Sequence, residues 1–173
     1  LSESEGMELC DALLESTSVT YLELKMDYYT KISAEAMAKY LRTSKHLRHI
    51  FWKGDLLAAG RDLRLREKMF CCFLPALQES TSLKELNISF PIIGGPSNLA
   101  LESMLTHTQS LQSLSLVYPI GPLEDIAMAA NRSGLKKNTT LRDLTLEFSR
   151  GATTISPIST SLRDHALLRR LCL

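Results

Sequence analysis

The sequence lacks two features that would have pointed to a membrane or to nucleic acid. No uninterrupted apolar run reaches the roughly 20 residues that span a bilayer, so the sequence predicts no membrane-spanning segment. The 173 residues carry 20 basic and 19 acidic side chains, for a formal net charge of +1. A chain this close to neutral has no overall field that would draw it to a polyanion. With 45% hydrophobic and 23% charged residues, its composition is that of a globular protein.

Cysteine is also scarce. The four cysteines are Cys10, Cys71, Cys72 and Cys172. Two are adjacent and the others lie far away in sequence, which fits neither the spacing of a zinc site nor a disulfide framework. We expect them to be small hydrophobic residues of a protein that works in a reducing compartment, and the predicted localisation is cytoplasmic. Three N-x-S/T sequons, at Asn87, Asn131 and Asn138, keep a secreted origin open as the alternative.

Catalytic motifs are missing as well. The sequence contains no H-E-x-x-H, no G-x-S-x-G and no phosphate-binding glycine loop. His46 and His49 are three residues apart, a spacing that points them to opposite faces of a strand and argues against a shared metal. Cys172 is the cysteine predicted to point outwards, and no histidine stands beside it as a base. The prediction is a protein that is not an enzyme and has no catalytic residues, no cofactor and no metal.

What the sequence does contain is a repeated hexapeptide of the form L-x-x-L-x-L. Its clearest copy runs from Leu83 to Ile88, and six copies occur in all. Successive copies start 28, 36, 28, 30 and 27 residues apart, which indicates a regular structural unit. Alternating apolar residues in a short run are typical of a strand. The predicted strands lie near 19–24, 47–52, 83–88, 111–116, 141–146 and 168–173.

The segments between the copies have helical periodicity. Between the first two copies, Ala36, Met37, Tyr40 and Leu41 would share one helical face. Helix starts are predicted at residues that cap or begin helices, namely Ser33, Pro96, Pro122 and Ser156–Pro157. Short Ser/Thr-rich turns lead from each helix into the next strand. A unit of strand, loop, helix and turn buries its apolar side only by stacking on its neighbours.

On these residues the chain resembles a leucine-rich-repeat protein, and its unit length resembles the ribonuclease-inhibitor-like subclass. The resemblance implies an α/β fold: a curved solenoid of about six repeats, with a parallel sheet on the concave side and α-helices on the convex side. It also implies a recognition module whose concave strands and adjoining loops contact partners. Residues 1–173 would form a single domain, which we expect to be a fragment of a longer protein because both ends fall within a repeat unit.

One position departs from that family. Three residues after the last Leu of the signature, where the family has Asn or Cys, the chain has other residues: Asp27, Asp55, Pro91, Pro119 and Ser149. The residues one place earlier are mostly large and should continue the core: Met26, Gly54, Phe90, Tyr118 and Phe148. The prediction is an aromatic stack in place of an asparagine ladder, with an exposed aromatic binding ridge as the alternative.

The second unit is eight residues longer than the 28-residue units, and the excess falls within 54–68. This insertion carries Arg61, Arg64 and Arg66. A solvated loop or the start of a helix is one interpretation. The other is a contact loop at the edge of the concave face, because insertions in solenoids often lie at one binding edge.

The outward-pointing strand positions are the predicted partner-binding face. The candidates on it are Tyr21, Glu23, Lys25, His49, Phe51, Lys53, Glu85, Asn87, Asp143, Glu147 and Arg170. Tyr21 and Phe51 are its expected aromatic anchors, since exposed aromatics among polar groups often dominate interfaces. The second signature position adds a basic edge of Arg48, Lys84, Arg142 and Arg169 that would favour an acidic protein surface. Ordinary solvated surface is the alternative for both.

The function predicted from these features is non-catalytic protein–protein interaction, through the concave face and the 54–68 insertion, with a partner that the residues do not identify. Nucleic acid ranks below protein, because Glu23, Glu85, Asp143 and Glu147 would repel phosphates. Two alternatives stay open. The chain could be the regulatory array of a larger effector, such as a nucleotide-binding switch, a ubiquitin-ligase adaptor or a GTPase-activating protein. It could also be an architectural subunit of a large assembly.

Overall fold

The structure, a computed structural model, describes residues 3–25, 31–53, 63–89, 96–117, 134–147 and 167–172. These residues form five helices and six strands. In chain order they are α1 (Glu3–Glu15), β1 (Tyr21–Lys25), α2 (Lys31–Thr43), β2 (His49–Lys53), α3 (Leu63–Glu79), β3 (Glu85–Ser89), α4 (Pro96–His107), β4 (Ser113–Val117), α5 (Leu135–Lys137), β5 (Asp143–Glu147) and β6 (Arg170–Cys172). The chain is therefore a mixed α/β protein.

The six strands form one sheet in which every strand is parallel to its neighbour and the order is β1-β2-β3-β4-β5-β6. The register does not slip from one strand to the next, so Tyr21, His49, Glu85, Ser113, Asp143 and Arg170 lie in one row across it. Parallel neighbours need a crossover connection, and helices α2, α3 and α4 each lie in the chain between two successive strands.

The core lies between the sheet and the helices. The second and fourth residues of the strands face it, because side chains alternate between the two sides of a strand. In β3 these are Leu86 and Ile88, both fully buried. They belong to one hydrophobic cluster that also contains Met37 and Leu41 of α2 and Leu101 of α4. The described helices therefore cover one face of the sheet and leave the other face to the first, third and fifth strand residues.

One aromatic cluster fills the core next to the second strand. Trp52 occupies the position that Leu24 and Ile88 hold in the strands on either side. Its ring meets Phe73 edge to face with 4.2 Å between ring centroids, and Phe70 at 6.4 Å. Both phenylalanines come from α3, which at 17 residues exceeds α2 and α4. The longer helix thus supplies the partners that pack against the larger side chain.

The strands begin two residues later than the sequence predicted, at 21, 49, 85, 113, 143 and 170. The first signature residue, such as Leu83, is buried ahead of its strand. The second residue forms a junction: the carbonyl oxygen of Thr20 accepts bonds from the backbone N–H groups of Arg48 and His49, at 2.8 and 3.0 Å. Both N–H groups share one acceptor, and regular strand pairing starts only after this junction.

The helix predictions were right in some places and wrong in others. Helix α4 begins at Pro96 as predicted, whereas α2 begins at Lys31, two residues before the predicted Ser33. Within the 54–68 insertion, residues 63–68 form the first turns of α3, which agrees with the helix-start interpretation for that part. Residues 54–62, with Arg61, lie outside the described residues, as do the predicted starts at Pro122 and Pro157 and the whole predicted aromatic stack.

A different ladder joins the turns that lead from helix to strand. The donor in each of its contacts is the side-chain hydroxyl of the residue just before a signature. The acceptor is a backbone carbonyl in the preceding turn, three residues before the preceding signature begins. The hydroxyl ladder comprises Ser82 to Ser44 (2.8 Å), Ser110 to Ser80 (2.7 Å) and Thr140 to Thr108 (3.4 Å). Ser82 and Ser110 are buried, so these bonds satisfy backbone carbonyls that water does not reach. The Ser/Thr-rich turns seen in the sequence are thus structural.

Core formation weakens at the last strand. Leu171 stands in register with the buried Leu144 but is 42% exposed, and Leu168 is only partly buried. At the other end, α1 buries Cys10 and Leu13, whereas Leu9 is exposed. The repeated signature therefore predicts burial correctly in the central strands and incorrectly at Leu171.

Candidate functional site

The face of the sheet opposite the helices carries the candidate binding residues; we call it the open face. Its rows follow from the strand register. The first row is Tyr21, His49, Glu85, Ser113, Asp143 and Arg170; the second is Glu23, Phe51, Asn87, Ser115, Thr145 and Cys172; the third is Lys25, Lys53, Ser89, Val117 and Glu147. All eleven residues predicted for the partner-binding face fall in these rows.

The aromatic end of the open face lies on β1 and β2. The Tyr21 side chain is 54% exposed, and its strand position pairs with that of His49. Phe51 lies one row further along β2 and is half-buried, with Glu23 and Asn87 as its register neighbours. Tyr21 is therefore the more accessible of the two predicted anchors, and Phe51 presents only part of its ring.

Lys53 partly explains why Phe51 is covered. Its ammonium group lies 5.1 Å from the centroid of the Phe51 ring. The same nitrogen donates to the Glu23 carboxylate at 3.0 Å. Contacts of an exposed cation with a ring and with a carboxylate contribute only about 0.5–1 kcal/mol each. Their effect is to hold the lysine and the ring in one arrangement before any partner arrives, rather than to stabilise the fold.

Two further charge pairs bridge neighbouring strands in the first row. The His49 Nδ1 lies 3.1 Å from a carboxylate oxygen of Glu85, and the Arg170 Nε lies 3.4 Å from one of Asp143. Strand β4 lies between these pairs and contributes the uncharged Ser113, Ser115 and Val117 to the open face. A carboxylate paired with a basic side chain at each end, where His49 is charged only when protonated, thus flanks a small, uncharged middle.

Asn87 lies at the centre of the second row and differs from its neighbours in its hydrogen bonding. Its side-chain oxygen is buried and accepts no hydrogen bond from any described residue. A buried amide oxygen without a donor is unfavourable by roughly 1–3 kcal/mol. Sequence reasoning placed Asn87 on the face, but no pattern in the sequence revealed the free acceptor.

Backbone hydrogen bonds join the residues of the predicted basic edge, whereas their side chains differ in exposure. The N–H of Lys84 donates to the carbonyl of Arg48, and the N–H of Arg169 to that of Arg142, with Gln112 linking the two pairs. Arg48 and Arg169 are exposed, whereas Lys84 and Arg142 are half-buried. The Arg48 guanidinium also donates to the carbonyl of Ser82 at 2.9 Å, so it has a structural contact in addition to its charge.

Metal-ligating side chains do not cluster in the part of the chain that the structure describes. No group of three or more His, Cys, Asp or Glu side chains there is arranged to hold a metal ion. All four cysteines are free; Cys10 is buried and Cys172 exposed. Burial raises the pKa of the Cys10 thiol above its ordinary value, with the nearby Asp11 charge adding to the effect. Among the described helices, none is long and apolar enough to cross a membrane.

Two of the three sequons have structural roles. Asn138 is 6% exposed: its Nδ2 donates to the Leu105 carbonyl at 2.7 Å, and its Oδ1 accepts from the N–H groups of Thr140 and Leu141 at 3.0 and 2.6 Å. Asn87 lies in the middle of β3. Asn131 lies outside the described residues. The Asn138 and Asn87 sequons therefore give no support to a secreted origin.

Comparisons with known proteins detect likeness in structure and none in sequence families. No family model matches the chain, and no curated protein sequence matches it. A structure of leiomodin-1 actin-binding site 2 is similar over 94% of this chain and 86% of its own, with a TM-score of 0.66 and 17% sequence identity. The tropomodulin C-terminal domain of Caenorhabditis elegans is similar over 96% of this chain and 81% of its own, with a TM-score of 0.58 and 10% identity. At these identities the likeness establishes a shared fold.

These findings correct the family assignment made from the sequence. Assigning the chain to the ribonuclease-inhibitor-like subclass of leucine-rich-repeat proteins is wrong: the similar structures are tropomodulin and leiomodin domains. The physical reason is that any parallel sheet covered by helices on one face needs apolar residues at alternate strand positions. The signature in the sequence therefore describes the packing of the strands, and it does not by itself identify a family.

Proposed function

We propose that the chain is a non-catalytic protein-binding domain that contacts its partner through the open face. The observation that carries this proposal is the arrangement on β1 and β2, where the exposed Tyr21 lies one row away from a Phe51 ring held under Lys53. Aromatic side chains fixed among paired charges are the usual centres of binding energy in protein interfaces. The pairs His49–Glu85 and Asp143–Arg170 would form a polar rim.

The architecture that we propose for this role is a curved solenoid of six strand units, of which the open face is the concave side. It is supported by the sheet order, which equals the chain order, and by the unbroken register of the rows. We also propose that residues 1–173 act as one domain and that the basic residues of the 54–68 insertion, Arg61, Arg64 and Arg66, extend the contact surface. Replacing the three arginines together by alanine would test their part.

Actin is the partner to test first, because one of the similar structures is of an actin-binding site, that of leiomodin-1. The experiment measures binding of the 173-residue chain to actin monomers and to filaments by fluorescence anisotropy and co-sedimentation. We expect Tyr21→Ala and Phe51→Ala each to weaken binding by more than about 2 kcal/mol, roughly thirtyfold, if both are central contacts. Circular dichroism would confirm that each variant is folded.

The matched control is Leu99→Ala, which removes a side chain that is 61% exposed on α4, on the helical side of the sheet. It should bind as the unmodified chain does. If Leu99→Ala weakened binding while Tyr21→Ala did not, the helical surface would be the binding site and the open-face proposal would be wrong. If actin did not bind, the same three variants would be compared as baits for other protein partners.

The free thiols favour a setting in which cysteines stay reduced. All four are unpaired, and the buried Cys10 is packed in the hydrophobic core. We therefore propose that the domain works in a reducing compartment such as the cytoplasm. Mass spectrometry of the protein isolated from its source without reducing agent tests this directly: four alkylatable thiols and no glycan at Asn87, Asn131 or Asn138 are expected.

A further inference from the structure

A groove of about 170 Å³ lies away from the open face, where α1 and α2 end side by side. Leu13 and Leu14 of α1 and Tyr40 and Thr43 of α2 contribute to it, and the turns that follow the two helices supply the rest of its lining. Since one water needs only about 10–15 Å³ of such space, the groove has room for a group of several atoms. None of the lining residues belongs to a strand.

A buried group in the lining lacks a hydrogen-bond partner. Tyr40 is 1% exposed, and its hydroxyl oxygen makes no hydrogen bond with any described residue. Buried hydroxyl groups are nearly always paired, because a phenol that has lost its water and gained nothing destabilises the fold. Tyr40 borders the groove, so a ligand bound there would lie next to the residue that carries this unpaired hydroxyl.

The charge of the lining is positive. Lys45 and His46 are exposed, neither forms an ion pair within the described residues, and the lining contains no Asp or Glu. Hydroxyl donors lie around them: Thr17 is exposed, and Ser44 accepts a bond from the N–H of Leu47 at 3.2 Å, which leaves its own hydrogen available. Unpaired cations next to hydroxyl donors are the groups that bind oxyanions.

One effect opposes an anion at this place. Helices α1 and α2 both end here, and the carbonyl groups at a helix C-terminus carry partial negative charge. Part of that charge is already met, because the N–H of Ser16 donates to the Ala12 carbonyl at 3.1 Å and that of Ser44 to the Tyr40 carbonyl at 2.9 Å. The charge of Lys45 is about equal to the two half-charges of unpaired helix ends, and because these carbonyl groups are partly paired the sum at the groove is positive, more so when His46 is protonated.

We propose that this groove binds an oxyanion, the carboxylate or phosphate group of a small ligand. Lys45 and His46 supply the positive charge, the hydroxyls of Thr17 and Ser44 donate to the oxygens, and the Tyr40 hydroxyl gains the partner that it lacks in the free protein. Leu13 packs against the non-polar part of the ligand. This site is independent of the open face and of the function proposed for it.

The test titrates the 173-residue chain with inorganic phosphate and, separately, with succinate, at constant ionic strength set by chloride. Nuclear magnetic resonance follows the amide signals of residues 16–17 and 44–46. We expect saturable shifts at these residues with at least one of the two anions. The variant Lys45→Ala/His46→Ala should weaken the affinity at least tenfold. The control Lys39→Ala/His107→Ala removes the same residue types from exposed positions outside the groove and should leave the affinity unchanged.

Tyr40→Phe separates a ligand site from a packing defect. Removing the hydroxyl should raise the melting temperature of the free protein, because an unpaired buried group is lost, and should weaken the anion affinity severalfold. Binding of phosphate alone or of succinate alone supports the site and identifies the oxyanion that it prefers. The proposal is overturned if neither anion saturates, if the control double variant loses as much affinity as Lys45→Ala/His46→Ala, or if Tyr40→Phe binds as tightly as the unmodified chain.

Discussion

Ser110 donates its hydroxyl hydrogen to the carbonyl oxygen of Ser80 at 2.7 Å, and thereby joins two turns that are thirty residues apart in the chain. Both residues are buried. Ser80 in turn accepts, on its own hydroxyl, the N–H of Leu83 at 3.4 Å. One short contact thus ties the turn before β4 to the turn before β3, on the side of the sheet where the chain enters each strand.

Ser110→Ala should destabilise the protein by about 1–2 kcal/mol, since it leaves the buried Ser80 carbonyl without its donor. Urea unfolding followed by circular dichroism measures this change. Ser115→Ala is the matched control: it removes the same hydroxyl from the open face of β4, where it makes no hydrogen bond within the described residues. The control should change stability by less than about 0.5 kcal/mol. Equal effects of the two variants would show that the ladder contact is not specific.

Trp52→Ala should be among the most destabilising single changes, at about 3–5 kcal/mol, because it leaves a cavity against the Phe70 and Phe73 rings. Chemical denaturation monitored by circular dichroism checks this prediction. Tryptophan fluorescence is not suitable, because the variant removes the only tryptophan of the sequence. Leu99→Ala, on the exposed surface of α4, provides the comparison and should cost less than about 0.5 kcal/mol. A cost for Trp52→Ala below 2 kcal/mol would contradict the packing described.

Asn138→Ala should cost about 2–4 kcal/mol, because it removes one donor and one doubly used acceptor from a buried turn. Asn138→Asp keeps the acceptor for the N–H groups of Thr140 and Leu141 and loses the donor to the Leu105 carbonyl. Its cost at neutral pH should exceed that of the amide-to-acid change Gln109→Glu at an exposed position only if the Leu105 contact matters. Thermal unfolding of the three variants decides the point.

The cysteines should differ in reactivity according to their exposure. Cys172 is exposed and should be alkylated first, whereas Cys10 is buried and should be alkylated last. Burial raises the pKa of the Cys10 thiol, and at Cys71 burial, then Glu67 and then Cys72 act in the same direction. Timed iodoacetamide labelling at pH 8 with peptide mass spectrometry measures the order. In urea the differences should disappear; if Cys10 remained slow there, burial would not be the cause.

The same shifts give a pH dependence of stability. A thiol whose pKa is higher in the folded than in the unfolded chain favours folding at pH values below the unfolded pKa. As pH rises above the pKa of the thiol in the unfolded chain, the thiol ionises there but stays protonated in the folded chain. This ionisation favours unfolding, so the stabilising contribution of the thiol is lost by the time pH exceeds its pKa in the folded chain. Stability should therefore fall on the alkaline side, and Cys10→Ala/Cys71→Ala should fall less steeply over that range.

The repeated signature was enough to predict the strands, because few other structures have alternating apolar residues that recur at regular intervals. Leu83, Leu86 and Ile88 are buried as predicted, and Glu85 and Asn87 lie on the other face. The two-residue error in the strand starts came from treating the first signature residue as part of the strand. The side chain of that first residue is buried, but the backbone of the next residue forms the kind of junction bond seen at Thr20.

The parts that the sequence did not reveal depend on contacts between distant residues. Phe51 was predicted to be outward and open, yet Lys53 covers it, a contact set by rotamers rather than by pattern. The pairing of Ser110 with Ser80 and the lone hydroxyl of Tyr40 have no periodic signal either. The family was misassigned for the related reason that a packing pattern is shared by proteins whose surfaces, and hence partners, differ.

The order of the sheet has a consequence for how such a chain can change in length. Each inner strand pairs with the strands that come just before and just after it in the chain, and the turns before β3, β4 and β5 are each tied by the hydroxyl ladder to the preceding turn. Removing a whole unit, for example residues 83–110, would bring strand β4 against β2 with the same register, Ser113 replacing Glu85 beside His49. A gene duplication or deletion of one unit would therefore alter the extent of the open face while keeping the register of the remaining strands.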